Sequence, residues 1–92
     1  MITVPPRSEI LSDVTAILAD NLGVPPSSPI DEETRFFADL GLASIDVVVL
    51  SEAIQAHYGR ALPFNDLMAE IGRRTERDLT IGELVSFLSK NL

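Results

Sequence analysis

Cysteine is absent from the 92 residues, and histidine occurs once, as His57. Disulfide frameworks, thiolate metal sites and a cysteine nucleophile are therefore excluded, and a single imidazole leaves little for a metal cluster. Aromatic residues make up only 5% of the chain against 46% hydrophobic residues overall, so the core is expected to be aliphatic and the chain ordered. Basic residues are scarce, seven against fourteen acidic ones, for a net charge of −7. Such a surface repels phosphate backbones and anionic lipid, so neither nucleic acid nor membrane is expected as a partner. It suits partners with basic docking surfaces, although plain solubility accounts for the same acidity. No apolar run reaches the ~18 residues of a membrane span. The opening "MITVPPRSEI" lacks a charged start followed by an apolar block, so it does not read as a secretory signal. A cytoplasmic, monomeric protein is expected, with one domain over residues 1–92 and a loose lead-in over 1–7.

What is present has helical period. Pro5 and Pro6 block an early helix, and Ser8 is placed to cap one, with Glu9 in its first turn. Ile10, Leu11, Val14, Ile17, Leu18 and Leu22 then recur on one face, and Gly23 ends the run, which predicts a first helix from Ser8 to Leu22. Prolines and serines follow, opening a connection long for so small a domain. It must be pinned, and Ile30, Phe36, Phe37, Leu40 and Leu42 can do that by dipping into the core. A second helix is expected from Ser44 to Tyr58, with Ile45, Val48, Ala53, Ile54 and Tyr58 sharing a face and Gly59 at its end. A buried strand through "VVVL" would have no partner, because nothing else in the chain reads as one. A short third helix near Asn65 to Ile71, capped by Asn65 and closed by Gly72, precedes the polar connector "RRTERD". Thr80 and Glu83 form a capping box for the last helix, with Leu79 and Leu84 as its hydrophobic staple. The fold class is all-α: a four-helix bundle with a long loop after the first helix and a short third helix.

Ser44, inside "DLGLASIDVVVL", is the residue to explain. As a nucleophile it would need a base within ~2.6–3.2 Å. His57 lies thirteen positions along the same expected helix, ~20 Å away at 1.5 Å per residue. "GLAS" is not the G-x-S-x-G elbow either, so a Ser–His triad is excluded in practice. Spacing alone favours a simple helix cap. A helix N-terminus, however, is also where free backbone N–H groups favour an attached phosphate, which makes a serine there a suitable point for a phosphodiester.

"FFADLGLASIDVVVLSEAI", followed by "HYGRALP" and "LTIGELVSFL", resembles the acyl carrier and peptidyl carrier protein family. Asp39, Gly41, Leu42 and Ile45 match the attachment motif around Ser44, together with Leu40, the aromatic Phe36 ahead of it, and the Tyr-Gly end of the second helix. The resemblance implies a carrier rather than an enzyme, whose Ser44 takes a 4'-phosphopantetheine arm from coenzyme A. The arm's thiol then holds an acyl or aminoacyl group as a thioester. It also implies a phosphopantetheinyl transferase, a loading ligase for the acyl or aminoacyl group, and downstream transferases or synthases as partners. Ala43 departs from the family's fatty-acid type, which has Asp before the serine and a richly acidic second helix. Asp46 and Glu52 remain to dock a basic transferase, and Val47 and Val49 are expected to be exposed for a later partner unless either packs under the long loop. The span from Pro63 to Thr80 is longer than in a short fatty-acid carrier. Arg73, Arg74 and Arg77 within it either pair locally with Glu70, Glu76 and Asp78 or dock a dedicated loading enzyme. A freestanding carrier of specialised metabolism is expected; the alternatives are a fatty-acid carrier and an unmodified helical interaction module.

Overall fold

The computed structural model describes residues 5–25 and 30–92. It contains four helices, α1 (Arg7–Leu22), α2 (Ser44–Tyr58), α3 (Phe64–Gly72) and α4 (Ile81–Asn91), and no strand among the described residues. The all-α expectation holds. Helix α1 packs against both α2 and α4, and Ile10, Val14, Ile17 and Leu18 form its buried stripe. Leu84, Val85 and Leu88 of α4 face them from the same core, as do Val47, Leu50 and Ile54 of α2.

Several ends differ from the sequence expectation. Ser8 does not cap α1; Pro6 holds that position in extended backbone, and its carbonyl accepts from the N–H groups of Glu9 and Ile10. The proline ring fixes φ, so the last residue before the helix is already set without a side-chain acceptor. Of the expected loose lead-in, residues 1–4 lie outside the described residues. Arg7 is anything but loose, because its guanidinium pairs with Glu32 and donates to Ser86 Oγ at 2.9 Å and to the Gly82 carbonyl at 3.2 Å. Asn65 likewise caps nothing: α3 starts one residue earlier, after Pro63, and ends on Arg73 rather than on a left-handed Gly72. Gly23 and Gly59 do adopt left-handed backbone, at φ 68° and 66°, and close α1 and α2.

The long connection after α1 is held by α4, and this is what positions the chain ahead of α2. Ile81 and Gly82 would leave free N–H groups in the first turn of α4. They donate instead to the carbonyls of Thr34 and Glu32, each at 2.8 Å. Phe36 N–H donates to the Leu79 carbonyl at 2.8 Å, closing an antiparallel bridge between Arg35 and Thr80. The loop backbone comes so near that a Cβ on Gly82 would sit 2.7 Å from the Glu32 carbonyl oxygen, so a glycine is required there. The Thr80–Glu83 capping box forms as expected, with Glu83 N–H on Thr80 Oγ1 at 3.1 Å and Thr80 N–H on Glu83 Oε1 at 3.2 Å. Phe36 is fully buried, whereas Ile30, Phe37, Leu40 and Leu42 pack partly buried against the core.

Candidate functional site

The turn before α2 is built from three devices. Asp39 folds back, and its carboxylate accepts from Arg35 N–H at 2.8 Å and pairs with the Arg35 guanidinium at 3.3 Å. The backbone N–H bond and then the guanidinium hold the Asp39 carboxyl below its usual range. Gly41 follows in left-handed backbone, φ 67°, with its N–H on the Phe37 carbonyl at 3.0 Å. A residue with a Cβ is strained there, which is why the motif needs glycine. Asp46 then accepts the Ala43 N–H at 2.7 Å and fastens the start of α2.

Ala43 is therefore the N-cap, and its methyl group cannot accept a hydrogen bond. Ser44 is the first helical residue, and the simple-cap explanation of this serine fails. Its hydroxyl is exposed and makes no capping bond. The N–H groups of Ser44 and Ile45 find no backbone acceptor among the described residues. An exposed hydroxyl beside free amides at the positive end of a helix fits a phosphodiester. Ser44 also opens onto a groove of ≈ 520 Å³ whose walls are Phe37, Leu42, Met68 and Ile71, with Arg77 as its cation.

A third carboxylate, Asp78, holds the same turn from the connector between α3 and α4. It accepts three backbone N–H groups: Phe37 at 3.0 Å, Ala38 at 3.2 Å and Leu79 at 2.8 Å. Burial alone would push its carboxyl up, but the bonds from Phe37, Leu79 and Ala38 together outweigh it, and the group ends below its usual range. Sequence reasoning placed Asp78 only as a local partner of arginines. An acid that satisfies amides forty residues away leaves no local signature.

The sign of the resulting pH dependence follows from that lowered pKa. Asp78 contributes stability that is fully present above its unfolded pKa near 3.8 and is lost as pH falls through the lower folded value. Asp78→Ala is expected to cost about 1–3 kcal/mol at neutral pH, the range for leaving hydrogen-bonding groups without their partner. The gap between variant and parent should begin to close near pH 3.8, where the unfolded chain's carboxyl takes up its proton, and go on closing as pH falls toward the lower folded value. Urea unfolding at a series of pH values measures it. A gap that stays constant into acid would exclude the ionised clamp.

The remaining candidates separate by exposure. Ile45 is 66% exposed, Val48 46% and Val49 39%. Val47 is 2% exposed and joins the core with Leu50 and Ile54, so it is unavailable to a partner and its expected exposure is corrected. Ile45 and Val48, expected on the core face, are outside. Apolar residues surround the first two turns of α2, so periodicity could not set the phase, whereas the Asp46–Ala43 start does. Glu52 is exposed, and Asp46 is half-buried by its bond to Ala43. Arg73 and Arg77 are exposed. Arg74 is held: it pairs with Glu83, donates to Glu70 at 3.1 Å and to the Asp78 carbonyl at 3.1 Å. Local pairing therefore describes Arg74, with Glu83 added to the expected Glu70. His57 sits at the far end of α2, 3.7 Å from Asp13 of α1, beside the Tyr58 hydroxyl that donates to Asp13 at 2.9 Å. It takes no part in the Ser44 site. Among the described residues, no group of His, Cys, Asp and Glu is disposed to hold a metal ion, and no helix is long and apolar enough to cross a membrane.

The sequence profile of the family described as "Phosphopantetheine attachment site" matches residues 12–88. The chain is 34% identical over 86 residues to the acyl carrier protein of Thermotoga maritima, which covers 94% of this chain and 95% of that protein. It is 34% identical over 84 residues to the acyl carrier proteins of Bradyrhizobium sp. strain ORS 278 and Rhodopseudomonas palustris strain TIE-1, covering 91% of this chain and 95% of each. A family profile spanning most of the chain, full-length relatives and a helical bundle with an exposed serine at the start of α2 point to one conclusion: the chain belongs to the phosphopantetheine-binding acyl carrier protein family.

Proposed function

We propose that Ser44 bears the 4'-phosphopantetheine arm and that the chain presents thioester-bound acyl or aminoacyl groups in specialised metabolism rather than in housekeeping fatty-acid synthesis. When bound, the arm supplies a terminal thiol for the cargo. The chain supplies an exposed hydroxyl at a helix start, a rigid turn that holds it, and a surface by which successive enzymes find it. Tethering raises the cargo's effective concentration at each of them.

The observation that carries the choice of metabolism is the surface of α2. Val48, Val49, Ala56 and His57 are exposed on it, leaving Asp46 and Glu52 as its only acids. A partner that reads an acidic helix meets apolar surface here instead, and apolar surface of this kind is partner surface. Asp46 and Glu52 serve encounter with the basic transferase, Val49 serves a later partner, and Arg73 is the connector's residue for the loading ligase. Arg74, already paired three ways, is left out of that role.

The arm-bearing chain is tested as acceptor for a fatty-acid-type malonyl transferase beside the Thermotoga acyl carrier protein. It should be about tenfold poorer or worse, equivalent to ~1.4 kcal/mol. Equal rates would make it a fatty-acid carrier. Charge reversal at Glu52 should slow arm attachment at low salt and much less at high salt, since an exposed charge acts through screened encounter, whereas reversal at Asp46 also breaks its bond to Ala43 and should keep part of its effect at high salt. Arg73→Ser should slow only loading by the cognate ligase. An unchanged rate in either assay removes the corresponding docking role.

A further inference from the structure

The cation in the groove beside Ser44 has no ion-pair partner among the described residues. Arg77 lines that groove with Ser44, Phe37, Leu42, Met68 and Ile71, yet it forms no salt bridge or side-chain hydrogen bond among the described residues. Neither acid next to it in sequence forms an ion pair with it among the described residues. Asp78 spends its carboxylate on the amides of Phe37, Ala38 and Leu79. Glu76 lies in a separate recess with Arg35, Arg74 and Glu83.

Arg77 is also held near Ser44 by the backbone rather than by chance of a mobile connector. The Asp78 clamp and the Phe36 N–H bond to the Leu79 carbonyl fasten residues 78 and 79 to the turn at Phe36–Ala38. That turn leads through Gly41 into Ser44. The arginine immediately before the clamp is thus carried by the same rigid piece as the serine. Arg77 and Ser44 line one groove, so the guanidinium and an anion carried by Ser44 share the same recess.

We propose that Arg77 is a positioning residue that pairs with the phosphodiester of the arm on Ser44. The proposal rests on the Ser44 attachment reading. An anion at that oxygen is present whatever cargo the thiol holds, and a guanidinium matches phosphate oxygens in a planar two-pronged contact that an ammonium cannot reproduce. Pairing draws the first part of the arm over the apolar wall of Leu42, Met68 and Ile71, so the arm leaves Ser44 in a preferred direction instead of sweeping freely. A carboxylate at the end of the cargo shares the same anionic chemistry, and the experiment separates the two.

The chain is converted to its arm-bearing form with a phosphopantetheinyl transferase, the modified residue is located by mass spectrometry, and the phosphodiester is followed by phosphorus NMR with the thiol free. The resonance of the parent should move as NaCl is raised from about 0.01 to 1 M, over which the Debye length falls from ~30 to ~3 Å. In Arg77→Gln it should start near the parent's high-salt position and move little, and Arg77→Lys should fall between them. Melting temperatures should agree, because Arg77 is exposed and makes no side-chain hydrogen bond or ion pair among the described residues. A salt-insensitive parent resonance, or identical behaviour in parent and Arg77→Gln, overturns the pairing and leaves the Ser44 reading intact. A difference that appears only after loading with a succinyl group, and not with a propionyl group or the free thiol, assigns Arg77 to the cargo carboxylate and also overturns it. A parent whose arm maps to another residue overturns the attachment reading itself.

Discussion

Ser44→Ala should lose all arm attachment and keep its fold. The expected result is an intact mass that never rises on incubation with transferase and coenzyme A, with a melting curve close to the parent's. The size of each half follows from the local structure. The hydroxyl is exposed and makes no capping bond, so its removal leaves no orphaned group and fills no space. The N-cap position belongs to Ala43, and Asp46 fastens it from within the helix. The usual loss of about 1 kcal/mol for a deleted cap therefore does not apply, and a change within ±0.5 kcal/mol is expected for an exposed substitution. Chemistry and stability separate at this residue, which makes the variant informative. A cooperative unfolding transition shifted by several degrees would return Ser44 to a structural role. Continued mass gain would move the attachment elsewhere.

Phe36→Ala should do the opposite, breaking the platform while leaving the serine in place. Phe36 is fully buried, packs edge-on against Phe37 with ring centroids 5.4 Å apart, and carries the N–H that bridges to Leu79. Truncating a buried phenylalanine costs about 3–5 kcal/mol, a large part of the 5–15 kcal/mol that a domain holds. Because the turn from Phe36 to Leu42 leads into Ser44, attachment at the proposed site should also slow under conditions where the chain remains folded. Urea unfolding and the initial rate of mass gain measure the two effects. A loss under 1 kcal/mol, or a normal attachment rate in a strongly destabilised variant, would show that the turn does not depend on this anchor.

The four helices were legible because their signals are local. The i, i+3, i+4 stripe from Ile10 to Leu22, the left-handed glycines at 23 and 59, and the Thr80–Glu83 box each lie within one element. The core role of Phe36 was legible too, since a long connection in a small domain has to be anchored by its apolar residues. What stayed hidden depends on contacts between distant segments. The face of α2 could not be chosen while apolar residues occurred all round its first turns, so Val47 and Val48 were exchanged. Ser8 and Asn65 have side chains that can cap, whereas in each case a proline two residues earlier starts the helix. Asp78 looked like one more charge in a polar connector. Only the folded chain brings it to the amides of Phe37 and Ala38, and only then does Arg77 come beside Ser44.

The most direct measurement is fragment mass mapping of the unaltered chain after incubation with a phosphopantetheinyl transferase and coenzyme A. The expected result is one arm per chain, carried by the peptide that spans Ser44 and released from that residue on fragmentation. An arm on Ser51 or any other hydroxyl, or no arm at all on a chain that remains folded, would contradict it.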